Sequence, residues 1–172
     1  MVWDLETSGL NEPIHILEFG CIVIDRKTLQ EVHRFETKVR LPEGGRVEEG
    51  ARRIHGLDGK DGMPFADVAD RIHALLDGQI WVGHNLAKFD VPVLQLYYSQ
   101  NDLPAPQPCK VIDTVLLSRE TLKDQRSHRL VDLARRFGLG EQTHRAAGDC
   151  DQTAQLLQRL AVHRLIDSVL GA

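Results

Sequence analysis

The first forty or so residues carry three strand-like stretches, and most of the remainder spaces hydrophobic side chains three and four apart, as helices do. Residues 2–6 read as a first strand. Residues 14–25 read as a second, β-rich and apolar on both parities towards its end, which suits the centre of a covered sheet. Residues 30–40 alternate more clearly and read as an outer, half-exposed strand. Residues 25–29 are short enough to join these two as a hairpin. Leu41-Pro42-Glu43-Gly44-Gly45 breaks the pattern, and a short helix is expected over 47–54. Pro64 then opens a helix with Phe65, Val68, Ala69, Ile72, Leu75 and Leu76 on one stripe. Ile80-Trp81-Val82 marks a short buried strand within 79–83, followed by a helix over about 89–99 with Pro92 in its first turn. The proline-bearing stretch 101–108 reads as an extended loop, and Val111-Ile112 as one more short strand. Helices follow around 115–117, over 130–137, and over 146–170 with a break near His163; the polar stretch 123–128 reads as a mobile loop. Three antiparallel strands and then alternating helix and strand predict an α/β fold with a mixed sheet, in a single domain over residues 1–172.

One position in this pattern is electrostatically odd. Period two puts Asp4 and Glu6 on one face of the first strand, with Trp3 and Leu5 on the other. Two carboxylates about 4 Å apart repel by roughly 4 kcal/mol at an effective dielectric near 20. A chain tolerates that repulsion where a cation neutralises it, so a divalent metal is one reading. A solvated pair on an edge strand is the other.

Composition changes the picture little. The chain is 42% hydrophobic and 27% charged, which is ordinary for a folded domain. No apolar run approaches the roughly 18 residues of a membrane span. Asp4 and Glu6 fall where the hydrophobic segment of a secretory signal would lie. Cys21, Cys109 and Cys150 lack metal-type spacing and read as reduced thiols. These features lead to the expectation of an intracellular, cytoplasmic protein, with nucleus and organelle left open. The net charge of −4 argues against bulk electrostatic attraction to nucleic acid, but two bound divalent cations would cancel it.

Partners for the two acids lie far along the chain. Asp90 sits between Phe89 and Val91 where a strand hands over to a helix; helix capping is its simplest alternative role. Asp149 follows His144 by five residues. On a regular helix these two would point about 140° apart, so they converge only if His144 precedes the helix and Asp149 lies within it. Taken alone, His144 also fits an ordinary surface histidine.

Together, Asp4-x-Glu6-Thr7, Asn85-x-x-x-Phe89-Asp90 and His144-x-Ala146-x-x-Asp149 resemble the three motifs of the DnaQ-like family, the DEDDh branch of the RNase H-like 3′→5′ exonucleases. Order and spacing match from residue 2 to about residue 158. Ile16-Leu17-Glu18-Phe19-Gly20, Ile54-His55-Gly56-Leu57 and Asp113-Thr114 add to the resemblance. Only Met1 to Trp3 precede Asp4, fewer residues than the family commonly has, so the chain reads as an excised domain or one with a trimmed start.

The resemblance implies an RNase H-like fold, with a mixed five-stranded sheet whose three N-terminal strands are antiparallel, flanked by helices. It also implies that Asp4, Glu6, Asp90 and Asp149 hold two divalent cations, Mg2+ or Mn2+, and that His144 is the general base towards the attacking water. The small residues after His144 would let it swing over the site. Thr7, Leu10, Ile54, His55, Asn85 and Phe89 match positions that meet the terminal nucleotide, although Leu10 and Ile54 equally fit core packing. Arg126, His128 and Arg129 line the strand path or belong to a solvated loop. The expected substrate is the 3′ end of a single strand, DNA ahead of RNA, with a polymerase or other protein as a further partner and the oligomeric state open. The competing readings are an exoribonuclease or oligoribonuclease of the same fold, and a non-catalytic module that binds nucleic acid or protein.

Overall fold

The computed structural model describes residues 1–170. Its strands are β1 (Val2–Thr7), β2 (Ile16–Ile24), β3 (Glu31–Lys38), β4 (Ile80–Gly83) and β5 (Lys110–Asp113), in the sheet order β3-β2-β1-β4-β5. β1 and β2 pair antiparallel, as do β2 and β3, whereas β4 runs parallel to both β1 and β5. This is the expected mixed five-stranded sheet. The helices are α1 (Glu49–His55), α2 (Phe65–Leu76), α3 (Asp90–Gln100), α4 (Thr114–Thr121), α5 (Leu130–Phe137) and α6 (Ala146–Leu170).

Alternation along β1 sends its side chains into two different layers. Trp3 and Leu5 join Phe19, Ile72, Trp81 and Leu94 on the face covered by α2 and α3. Trp3 meets Trp81 edge-on with ring centroids 5.3 Å apart, an arrangement worth about 0.5–1.5 kcal/mol beyond the burial itself. Val2 points the other way, into a cluster with Ile22, Val82, Cys150 and Ala154 of α6. Asp4 and Glu6 share the parity of Val2 and therefore lie on the α6 face of the sheet.

Small residues set how near α6 comes. A Cβ on Gly20 would sit 2.6 Å from the Ala146 carbonyl carbon and from the Ala147 nitrogen, so only glycine lets the helix start rest directly on β2. Ala146 and Ala147 are both buried there, and the Cys150 thiol reaches the Gly20 carbonyl at 3.3 Å. Gly20 is the register partner of Asp4, so this close approach brings the first turns of α6 beside the acids of β1.

Three expectations change. No break occurs at His163: α6 runs unbroken to Leu170, since no proline or glycine interrupts it after Gly148. β3 is more exposed than a half-buried strand, because it is the sheet edge, and Arg34 clips it to α6 through Asp151 at 2.6 Å. The polar stretch 123–128 is tied down by its own side chains, with Ser127 donating to Asp132 at 2.6 Å and Ser118 bonded to His128 at 2.8 Å. Among the described residues no helix is long and apolar enough to cross a membrane. Residues 171 and 172 of the expected domain lie outside the described range.

Candidate active site

The parallel strands β1, β4 and β5 all deliver their carboxyl ends to one rim, and the sheet reverses its winding between β1 and β4. Such a crevice is where open α/β sheets gather their functional groups. Asp4 and Glu6 project from β1, and Asp149 meets them from the first turn of α6, with one oxygen of each all within 4.8 Å of one another. Asp90 enters from the start of α3, where its Oδ1 accepts a hydrogen bond from the Leu5 amide at 3.2 Å. It therefore grips the β1 backbone between the two acids and does not cap its own helix.

Burial raises all four carboxyl groups, and repulsion from neighbouring acids adds to it at Asp4 and Glu6. Asp4 is pushed well above the usual carboxylate range by burial and then by Asp90, Asp149 and Glu6. Burial, followed by the Asp149 and Glu18 charges, pushes Glu6 up to about 8. Asp90 rises to about 7, mainly through burial and partly offset by its hydrogen bond from Leu5. Asp149 is also raised by burial, with Gln142 and the charge of His144 acting in the opposite sense. Its Oδ2 accepts from Gln142 at 2.7 Å, but its buried Oδ1 has no hydrogen-bond partner among the described residues. An unfilled buried acceptor costs about 1–3 kcal/mol. Clustered hard oxygens with one lone pair unclaimed fit a hard divalent cation.

His144 stands just ahead of α6 in the left-handed region, with φ of 51°, and is near enough to Asp149, five positions on, for its charge and main chain to act on that carboxyl. Arg145, the next residue, reaches from the half-exposed surface to the buried Glu18 of β2: Arg145 Nε donates to Glu18 Oε2 at 3.0 Å, and a second guanidinium nitrogen donates to Oε1. Glu18 Oε2 also accepts from the Ala146 amide at 3.0 Å. The small residues after His144 thus serve close packing against Gly20, where the sequence had invited a swinging histidine.

Beside the acids lies a pocket of about 410 Å3, lined by Thr7, Leu10, Ile54, His55 and Phe89 among others. Leu10 is 76% and Ile54 58% exposed, so neither belongs to the core. His55 accepts from the Leu57 amide at Nδ1, which leaves Nε2 protonated and donating to the Thr7 carbonyl at 3.0 Å. Its ring therefore positions Thr7. Asn85 is set apart from these five. It lines a separate groove of about 610 Å3 with Arg126, His128, Arg129 and Gln142, so those basic residues face a groove that ends beside Asp149.

Sequence reasoning assigned no role to Glu18, Arg145, Gln142 or Asp113. Asp113 accepts from the Asn85 and Ala87 amides while capping α4 at Val115, and so braces the loop before Asp90. A signal for Glu18 did exist: a lone acid in the apolar run Ile16-Leu17-Glu18-Phe19 requires a cation, and Arg145 adjoins a motif residue.

The family model described as "Exonuclease" matches residues 1–157. Protein NEN4 of Arabidopsis thaliana is 34% identical over 175 residues, covering 98% of this chain and 69% of NEN4. The 3'-5' exonuclease DinG of Bacillus subtilis is 28% identical over 171 residues, covering 93% of this chain. This chain thus spans most of NEN4 but only 18% of DinG. Among solved structures, E. coli exonuclease I in complex with a dT13 oligonucleotide superposes with a TM-score of 0.81 at 19% identity, over 98% of this chain and 42% of that one. Exonuclease families of this kind generally use divalent metal ions, in keeping with the donor set at the rim. On these grounds the chain belongs to the exonuclease family, DnaQ-like within the RNase H-like superfamily, and is a nuclease by class.

Proposed function

We propose that the protein is a metal-dependent 3′→5′ exonuclease acting on single-stranded nucleic acid, with DNA preferred. The observation that carries this reading is the convergence of Asp4, Glu6 and Asp149 around an unclaimed Asp149 oxygen, beside a pocket with exposed apolar walls. The likeness to DinG, a 3'-5' exonuclease, and to exonuclease I bound to dT13 supports the direction and the substrate.

Asp4, Glu6, Asp90 and Asp149 would hold two divalent cations, Mg2+ or Mn2+. These would supply an activated water and neutralise charge on the scissile phosphate and its leaving oxygen. His144 accepts the proton of the attacking water at a ring nitrogen. Histidine is the side chain most often given that role. Leu10, Ile54 and Phe89 present apolar surface to the terminal base, and Thr7, held by His55, lines the same pocket where its sugar would lie. Asn85, Arg126, His128 and Arg129 border the groove open to the rest of the strand. Stacking without base reading makes the enzyme tolerant of sequence.

The test uses a 5′-labelled single-stranded DNA and the matched RNA with Mg2+ or Mn2+. A ladder of products shortened from the 3′ end, faster on DNA, is expected. Absence of a ladder on both strands with both metals overturns the reading, and faster RNA degradation overturns the DNA preference.

A further inference from the structure

We infer that Glu18 and Arg145 are a positioning pair that fixes the catalytic reach of His144 across the β2–α6 contact; this rests on His144 being the general base. The His144 ring has no hydrogen-bond partner among the described residues, so its location depends on the main chain that carries it. That main chain is in the left-handed conformation, which a non-glycine residue holds only when its surroundings over-determine it.

Both flanks of His144 are pinned. On the amino side, Gln142 is bonded to Asp149, and Thr143 lies against Gly148 so closely that a Cβ there would sit 2.0 Å from its hydroxyl oxygen. On the carboxyl side, Arg145 is forked onto Glu18, whose side chain is 3% exposed, and Glu18 also takes the Ala146 amide at the helix start. Three hydrogen bonds to one buried carboxylate thus lock the two residues that follow His144. A planar guanidinium on a carboxylate resists rotation better than a single bond would. Glu18 stands opposite Glu6 in the strand register, so the lock is referenced to the strand that bears the metal-binding acids.

The pair acts through His144 and not through the cations, and a double-mutant cycle separates these. Degradation of 5′-labelled single-stranded DNA is followed for wild type, Glu18→Gln, His144→Ala and the double variant, with Mn2+ affinity measured by calorimetry. A misplaced general base should lower kcat of Glu18→Gln roughly 10–100-fold. KM and Mn2+ affinity should stay within about twofold, and the same substitution should add nothing in the His144→Ala background. Equal losses in both backgrounds, or a matching loss of Mn2+ affinity, overturn the inference. A wild type that leaves DNA and RNA intact sinks the exonuclease reading instead, and full turnover by His144→Ala sinks the general-base reading. If Glu18→Gln does not fold, Glu18→Gln combined with Arg145→Met removes the pair without leaving a lone charge and carries the same cycle.

Discussion

Glu6 and Glu18 face each other on neighbouring strands, in direct register, yet the fold treats them in opposite ways. Glu18 is closed off by Arg145 and the Ala146 amide, so its charge is matched inside the protein. Glu6 shares its space with Asp4 and Asp149, and burial, followed by the charges of Asp149 and of Glu18 itself, pushes it up to about 8. One glutamate is compensated by the chain, and the other is left for something the chain does not contain. Buried acids with an internal cation are structural, whereas buried acids without one call for an external cation.

Removing a carboxylate from the uncompensated group should produce the largest effect. Asp4→Ala and Asp149→Ala should each lower turnover by more than the roughly 100-fold typical of losing an outer-shell partner of a metal. Rates within tenfold of wild type in an oligonucleotide assay would detach these acids from the chemistry. His144→Ala comes next: roughly 100-fold slower turnover is expected from loss of a general base, with Mn2+ binding retained. A variant as fast as wild type would leave His144 a surface residue. Leu10→Ala should raise KM roughly 5–20-fold through lost stacking while kcat and thermal stability stay near wild type, because Leu10 is 76% exposed. An unchanged KM would remove the apolar pocket from substrate binding.

The smallest effect is on stability, and its sign separates the two regions. Glu6 and Asp90 rise to about 8 and about 7 from ordinary values of 4.5 and 3.8. The folded, metal-free protein therefore keeps protons that the unfolded chain has already released. Their stabilisation is complete below about pH 4 and is lost as pH rises towards about 8, the window set by those raised values. Exposed acids such as Asp25, held below their ordinary value by hydrogen bonds from Thr28 and Lys27, act oppositely but only at lower pH. The melting temperature of metal-free protein should fall by several degrees across this window. Asp4→Asn should raise it at pH 8, and Glu18→Gln should lower it. A flat profile, or a lower melting temperature for Asp4→Asn, would mean that burial and neighbouring charge do not hold these acids protonated in the folded protein.

Much of this arrangement was legible in the residues. Period two identified the strands and put Asp4 and Glu6 on one face, and the three spaced motifs brought Asp90, His144 and Asp149 to the same short list. What escaped were relations between distant positions. The link from Glu18 to Arg145 spans 127 residues, and neither end has a local periodic signal. Asn85 and Phe89 are four residues apart in one motif, yet the turn at Asn85, with φ of 63°, sends them to different grooves. Leu10 and Ile54 read equally well as core, because hydrophobicity alone cannot tell a buried face from an apolar wall that a ligand covers.

The central claim is that Asp4, Glu6, Asp90 and Asp149 form a divalent-cation site, and calorimetric titration of Mn2+ into the wild type and Asp4→Ala tests it most directly. The account predicts saturable binding by the wild type and its loss or severe weakening in Asp4→Ala. Equal binding by the two proteins, or none by the wild type, would contradict it.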